Sequence, residues 1–188
     1  MRSSIIVSAA FALTLAACVQ KESYTPVPRP YAYPRIELMD TARVNICVGN
    51  VAIPVNAAAY KNFNGKDKLD IIYSPYGATL YLAAQKASDA AALRRIVENR
   101  SQRFALNLGG APARNESFSA NGFESKIIIA PEAPTPLQFI TIGNEGDVVT
   151  GAVVFNSEMK TDSIAPVINA IHNDILHMLL NIAGNGNN

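Results

Sequence analysis

The chain has 188 residues, 49% of them apolar, with 16 basic side chains against 15 acidic ones. So even a balance gives no basic field to hold nucleic acid or to steer an anionic substrate.

Residues 1–17, MRSSIIVSAAFALTLAA, combine one early Arg, no acid and an apolar run from Ile5 to Ala17 that ends in small side chains. This is the build of a secretory signal that is removed. Thirteen apolar residues are too few for a hydrocarbon core that needs about 20. Leu15-Ala16-Ala17-Cys18 resembles the bacterial lipobox, in which the cysteine thiol is alkylated with diacylglycerol before the preceding bond is cut. The mature chain then begins at Cys18, and its formal charges balance at fifteen each once Arg2 is gone. Burial of each acyl CH2 contributes about 0.8 kcal/mol, so two or three chains anchor it permanently. Cys47 is left without an intramolecular partner and reads as a small buried hydrophobe, with a catalytic thiol or an intermolecular disulfide as alternatives.

Residues 18–34 form a tether in which Pro26, Pro28, Pro30 and Pro34 fix φ and withhold backbone donors. At about 3.1 Å per residue, a polyproline spacer of this length reaches roughly 50 Å from a membrane. Residues 35–184 suffice for one domain with a real core, and 185–188 are a polar tail. Arg35–Met39 and Arg43–Val48 alternate around Asp40-Thr41, which predicts two strands and a turn. Val51–Val55 looks extended, although Pro54 argues against a central strand, and "NAAAYKNFNG" suits one helical turn.

"KLDIIYSPYGATLYLAA" predicts a hairpin: Leu69, Ile71 and Tyr73 share a face, Ser74-Pro75-Tyr76-Gly77 turn, and Thr79–Ala83 return. Ser88 or Asp89 caps a helix to about Phe104, with Leu93, Ile96 and Val97 inward and Arg94, Arg95 and Glu98 outward. "NLGGAPARNESFSANG" reads as a polar loop. Strands follow at Phe123–Ala130, Leu137–Ile142 and Val148–Phe155, the last two joined through "GNEGD".

A closing helix begins at Asp162 or Ser163 with Pro166 in its first turn, and ends at Gly184. Its buried stripe is Ile164, Val167, Ile168, Ile171, Ile175, Met178, Leu179 and Ile182. The order of elements predicts an α+β domain, a largely antiparallel sheet covered by helices. In element order it resembles the PsbP and Mog1 sandwich.

Chemical motifs are sparse. His172 and His177 sit about 140° apart on a helix and cannot chelate one metal as an i, i+4 pair does. No zinc-protease, nucleophile-elbow or phosphate-loop pattern is present in the sequence. Asp174 and the two histidines read as the solvent side of the last helix. No catalytic, cofactor or metal residue is assigned.

Several blocks together carry a resemblance: "YTPVPRPYAYPRIEL", "LDIIYSPYGATLYL", "PLQF" and "TGAVVFNSEMKTDSIAPVINAIHNDILHML". In order and spacing they are similar to the GldD family of gliding-motility lipoproteins of Bacteroidota. The family tends to carry Trp in the arm before the Tyr-Pro hairpin, where this chain has Lys68 and Leu69 and no Trp anywhere. The resemblance implies a non-enzymatic outer-membrane lipoprotein needed by the gliding apparatus and the type IX secretion system that shares its parts. It would be held to the membrane by lipid on Cys18, in the periplasmic leaflet rather than on the cell surface, and would act through contacts with envelope motility or secretion proteins. A periplasmic small-ligand-binding or hydrolytic lipoprotein, with its site on the open face of the sheet, is the alternative. Asp40-Thr41-Ala42 and Asp162-Ser163-Ile164 resemble the Asp-Ser/Thr-apolar triplet that is O-glycosylated in exported Bacteroidota proteins. Thr41 and Ser163 are therefore candidates, against ordinary turn and cap chemistry.

Overall fold

The structure is a computed structural model that describes residues 39–156 and 161–184, with the backbone alone at 161–163. The signal segment, Cys18, the proline tether and the 185–188 tail lie outside the described residues.

The described residues form ten strands. They are β1 (Arg43–Val48), β2 (Val51–Asn56), β3 (Tyr60–Phe63), β4 (Lys68–Tyr73), β5 (Ala78–Lys86), β6 (Arg114–Ala120), β7 (Phe123–Ile129), β8 (Leu137–Gly143), β9 (Asp147–Phe155) and β10 (Ala183–Gly184). Helix α1 is Ala90–Leu108 and α2 is Thr161–Leu180. Strands β3-β4-β5-β9-β8-β7-β6 form a seven-stranded sheet and β1-β2-β10 a three-stranded one. Every pairing is antiparallel. The expected α+β class is the observed one.

The two faces of the large sheet are filled differently. Leu69, Ile71, Tyr73, Leu80, Leu82, Leu137, Phe139, Val149 and Val153 point to one side, where they meet the stripe of α2 and the apolar side of β2 in a single buried cluster. All eight predicted stripe residues are buried, seven of them on α2 and Ile182 just past its end. Two cross-strand pairs, Phe139 opposite Gly151 and Phe123 opposite Gly143, lay a ring over a bare backbone on this side. A Cβ built on Gly151 would lie 2.1 Å from Phe139 Cε1, so no larger residue fits there. On the other side Phe104 of α1, with Leu93, Ile96 and Val97, packs on Ile128, Ile140 and Val148 of β7, β8 and β9.

The predicted hairpin is β4–β5. Ser74-Pro75-Tyr76 make a single 3-10 turn and Gly77 takes the left-handed φ of 57° that closes it. Asp89 caps α1, accepting the Ala92 N–H at 2.7 Å.

Several expectations are corrected. Met39 lies outside any strand, and the rest of the expected 35–39 strand lies outside the described residues. The segment expected as a helical turn contains strand β3, and the expected polar loop contains strand β6. Both are edges of the large sheet, largely exposed and with one side free of a neighbour, which permits a polar sequence. Strand β2 is central in its sheet despite Pro54, because β10 reaches only Val51 and Ala52 and leaves β2 with one neighbour at the proline. Helix α2 starts at Thr161, so Pro166 is its sixth residue, past the first turn, where its ring interrupts the hydrogen-bond ladder. It ends at Leu180 rather than Gly184, because residues 183–184 pair with β2.

Candidate functional site

The Tyr73-x-Pro75-Tyr76 block folds into the β4 end and the turn after it, bringing both rings onto α2. They stack with centroids 6.2 Å apart and 18° between planes. Tyr73 donates its hydroxyl to Asp174 Oδ2 at 2.6 Å, and Arg43 Nη2 lies 2.5 Å from the other carboxylate oxygen. Tyr76 accepts the Met39 N–H at 3.0 Å, and Asn56 donates to the Asp40 carbonyl at 2.9 Å. Burial, then the charge and hydrogen bond of Asp174, push the Tyr73 phenol well above its ordinary pKa. A phenol so protonated, with its one proton committed to Asp174, ties β4 to α2, and Arg43 extends the tie to β1.

The cleft beside this tie encloses about 350 Å³ and includes Thr41, Asn173 and His177 on its walls. Thr41 is exposed, in a turn where Asp40 Oδ1 accepts the Ala42 N–H at 3.2 Å, and so can be reached by a modifying enzyme. The Ser163 side chain and Cys18 lie outside the described residues.

Two polar readings are corrected. Asp174 and His172 are not solvent-side residues. Asp174 carries the tie just described, and His172 Nε2 lies 2.8 Å from Glu116 Oε2, with both partners partly buried. The reason is β6, which brings Glu116 to the α2 side of the sheet and was hidden by its polar sequence. His177 alone is exposed. Cys47, expected to be buried, is exposed on β1, whose inward positions are Ile46 and Val48.

A second concavity lies on the opposite face. Because the apolar side of α1 packs on β7, β8 and β9, much of the face of β3, β4 and β5 on that side stays open. Register aligns Tyr60, Ile72, Thr79 and Val154 in one row and Asp70, Tyr81 and Ala152 in the next. Tyr60 is 65% exposed, Tyr81 48% and Val154 38%. Between this open half and α1 runs a trough of about 590 Å³, floored by Ala83, Thr150 and Ala152, with Arg100, Arg103 and Leu106 along the helix side. The helix wall is fixed by the fully buried Gln138, which accepts from Asn107 Nδ2 at 2.9 Å and donates to the Phe104 carbonyl at 3.4 Å.

Arg100 escaped the sequence reading, yet it carried a signal. It continues the inward series Leu93, Ile96, Val97, Phe104 at helical spacing, a cation at a position whose neighbours are apolar. Burial and the nearby Arg103 charge lower its pKa.

The sequence model of the family described as gliding motility lipoprotein GldD matches residues 23–183. The chain belongs to this GldD family. No curated protein matches it. Within this GldD protein, the Tyr73 to Leu82 block serves two faces: Tyr73 and Tyr76 build the tie with α2, and Tyr81 opens onto the trough. Among the described residues no helix is long and apolar enough to cross a membrane, and no cluster of three or more His, Cys, Asp or Glu is placed to hold a metal.

Proposed function

We propose that this protein is a non-enzymatic accessory component of the gliding-motility and type IX secretion machinery, held on the periplasmic face of the outer membrane by lipid on Cys18 and working through protein contacts. The observation that carries the reading is the trough: it lies open along the sheet, and aromatic and aliphatic side chains are exposed beside it. A small-molecule site encloses most of its ligand and converges a few polar groups on it. An exposed apolar strip beside charged side chains is instead the composition of a protein contact surface. The polar network that is well ordered, at Tyr73 and Asp174, is internally satisfied and has no group free for acid, base or nucleophile work.

Membership of the GldD family supports the lipoprotein character and the link to gliding motility. Lysine-directed cross-linking of intact envelopes, followed by pull-down under denaturing conditions, tests the rest. Stoichiometric recovery of motility or secretion proteins is expected. Recovery of none, together with a bound small molecule in the natively purified protein, would establish the ligand-binding alternative. Labelling with a fatty-acid analogue checks the anchor: wild type labels and Cys18→Ala does not. Protease added to whole cells leaves the domain intact if it faces the periplasm.

A further inference from the structure

We propose that the trough beside α1 takes an extended, acidic segment of a protein partner, with a carboxylate held between Arg100 and Arg103 and an apolar side chain resting against Tyr81 and Leu106. This rests on the protein-contact reading above and names the chemistry of the contact.

Arg100 is a half-buried cation that donates to a neutral group, Gln85 Oε1, at 3.2 Å. Among the described residues neither Arg100 nor Arg103 has an acidic group within 4.0 Å, whereas Arg43, Lys86 and Arg114 each do. A partly desolvated guanidinium beside a second one is unfavourable alone and favourable around an anion, which it can grip in two parallel hydrogen bonds. The ionic side chains on the trough walls are Lys68, Arg100 and Arg103 against Asp70. Three cations against this one carboxylate, which accepts from Asn64 Nδ2 at 2.5 Å, leave the trough with an excess of positive charge.

Shape selects an extended occupant. The trough continues past Arg100, Lys68 and Ala83 into a second cleft of about 500 Å³. Its floor of Ala and Thr side chains leaves room for backbone. Alternate side chains of an extended chain point the same way, at roughly 7 Å intervals, which suits cations on one side and exposed apolar groups on the other. A lipid phosphate would meet the cations but has no use for the apolar floor.

The test uses the full lipidated chain in envelopes of its native host, with p-benzoylphenylalanine at position 106. Expected is a protein adduct whose cross-linked peptide holds an Asp, a Glu or a terminal carboxylate within three residues of the attachment point. Its yield falls at least tenfold in Arg100→Gln/Arg103→Gln and is largely retained in Arg100→Lys/Arg103→Lys, while thermal melts of both pairs match wild type. An adduct unaffected by the Gln pair, a peptide without an acid, or an adduct to lipid overturns the proposal. The absence of any adduct at 106 also overturns it: the protein-contact reading then survives if lysine-directed cross-linking still recovers envelope proteins, and falls with it if nothing is recovered.

Discussion

Adjacent residues of β9 face two different worlds. Gly151 looks into the α2 side of the large sheet, where Phe139 lies across its Cα, and Ala152 looks into the trough on the α1 side. One face is closed by aliphatic and aromatic packing and tolerates no added methyl. The other keeps small side chains over open space and sets unpaired cations beside them. The comparison teaches that one sheet can hold its packed core on one side and an open, charged surface on the other. Substitutions should therefore separate the two.

The largest effect is expected at Gly151. A Cβ there falls 2.1 Å from Phe139 Cε1, and Phe139 is fully buried. Gly151→Ala should destabilise by about 3 kcal/mol, the upper end for overpacking a filled core, read as a lower urea midpoint at unchanged slope. Ala152→Leu, one residue along, should leave the midpoint close to wild type and fill the trough. Equal destabilisation by both would erase the distinction between the faces.

Next in size is Tyr73→Phe. It removes a buried hydrogen bond to a carboxylate, of the kind that contributes about 1.5–3 kcal/mol. It also changes the pH dependence. The folded-state pKa of Tyr73 is raised, so between the unfolded value of about 10 and the higher folded value the native state keeps a proton that the unfolded chain has lost. Stability is thus fully present below about pH 10 and declines as pH climbs above it. Melting temperatures of the variant should start lower and fall less steeply above pH 10. Parallel curves for the two proteins would show that the Tyr73 phenol is not held by Asp174.

The closed face was largely legible before the structure. Alternation over Leu69, Ile71 and Tyr73 and the helical stripe from Ile164 to Ile182 report burial directly, since the period of a strand or helix puts those side chains on one face. What escaped was whatever the period does not encode. Strands β3 and β6 are sheet edges that carry many polar side chains, as turns and loops also do. With β6 unseen, Glu116 had no place, and His172 looked solvent-facing. The Tyr73–Asp174 tie joins residues 101 positions apart, which only the tertiary arrangement can pair. The trough exists because α1 stops short of the β3, β4 and β5 side, and no local pattern states how far a helix reaches over a sheet.

A smaller effect is expected where α2 ends. Asn121 takes a positive φ of 51° in the β6–β7 turn, and its amide donates to the carbonyls of Leu180 and Ile182 at 3.0 and 3.2 Å. Asn121→Ala loses both bonds and replaces a residue that tolerates left-handed backbone by one that does not, costing about 1–2 kcal/mol. Asn121→Gly restores the backbone and isolates the hydrogen bonds. Hydrogen exchange of the Ile182 to Gly184 amides should speed up in both variants. If exchange there is unchanged, β10 is held by its pairing with Val51 and Ala52 alone.

The smallest expected effect on stability is the one that sharpens the comparison most. Leu106 is 79% exposed on the trough side of α1, and its neighbours Ala105 and Asn107 are exposed as well. Leu106→Ser removes an apolar side chain that water already reaches, so the melting temperature should stay within the spread of ordinary surface substitutions, about 0.5 kcal/mol. Should the protein bind through this face, the same change removes a side chain that becomes buried only in the complex, and full burial of a leucine contributes about 1.5–3 kcal/mol. Recovery of partner from envelopes should then fall by roughly tenfold or more at equal protein level. Leu176, part-buried on the α2 side of the sheet, supplies the control: Leu176→Ser should lower stability and leave recovery per folded molecule unchanged. A Leu106→Ser protein that melts as wild type and captures as wild type would move the contact surface off this face.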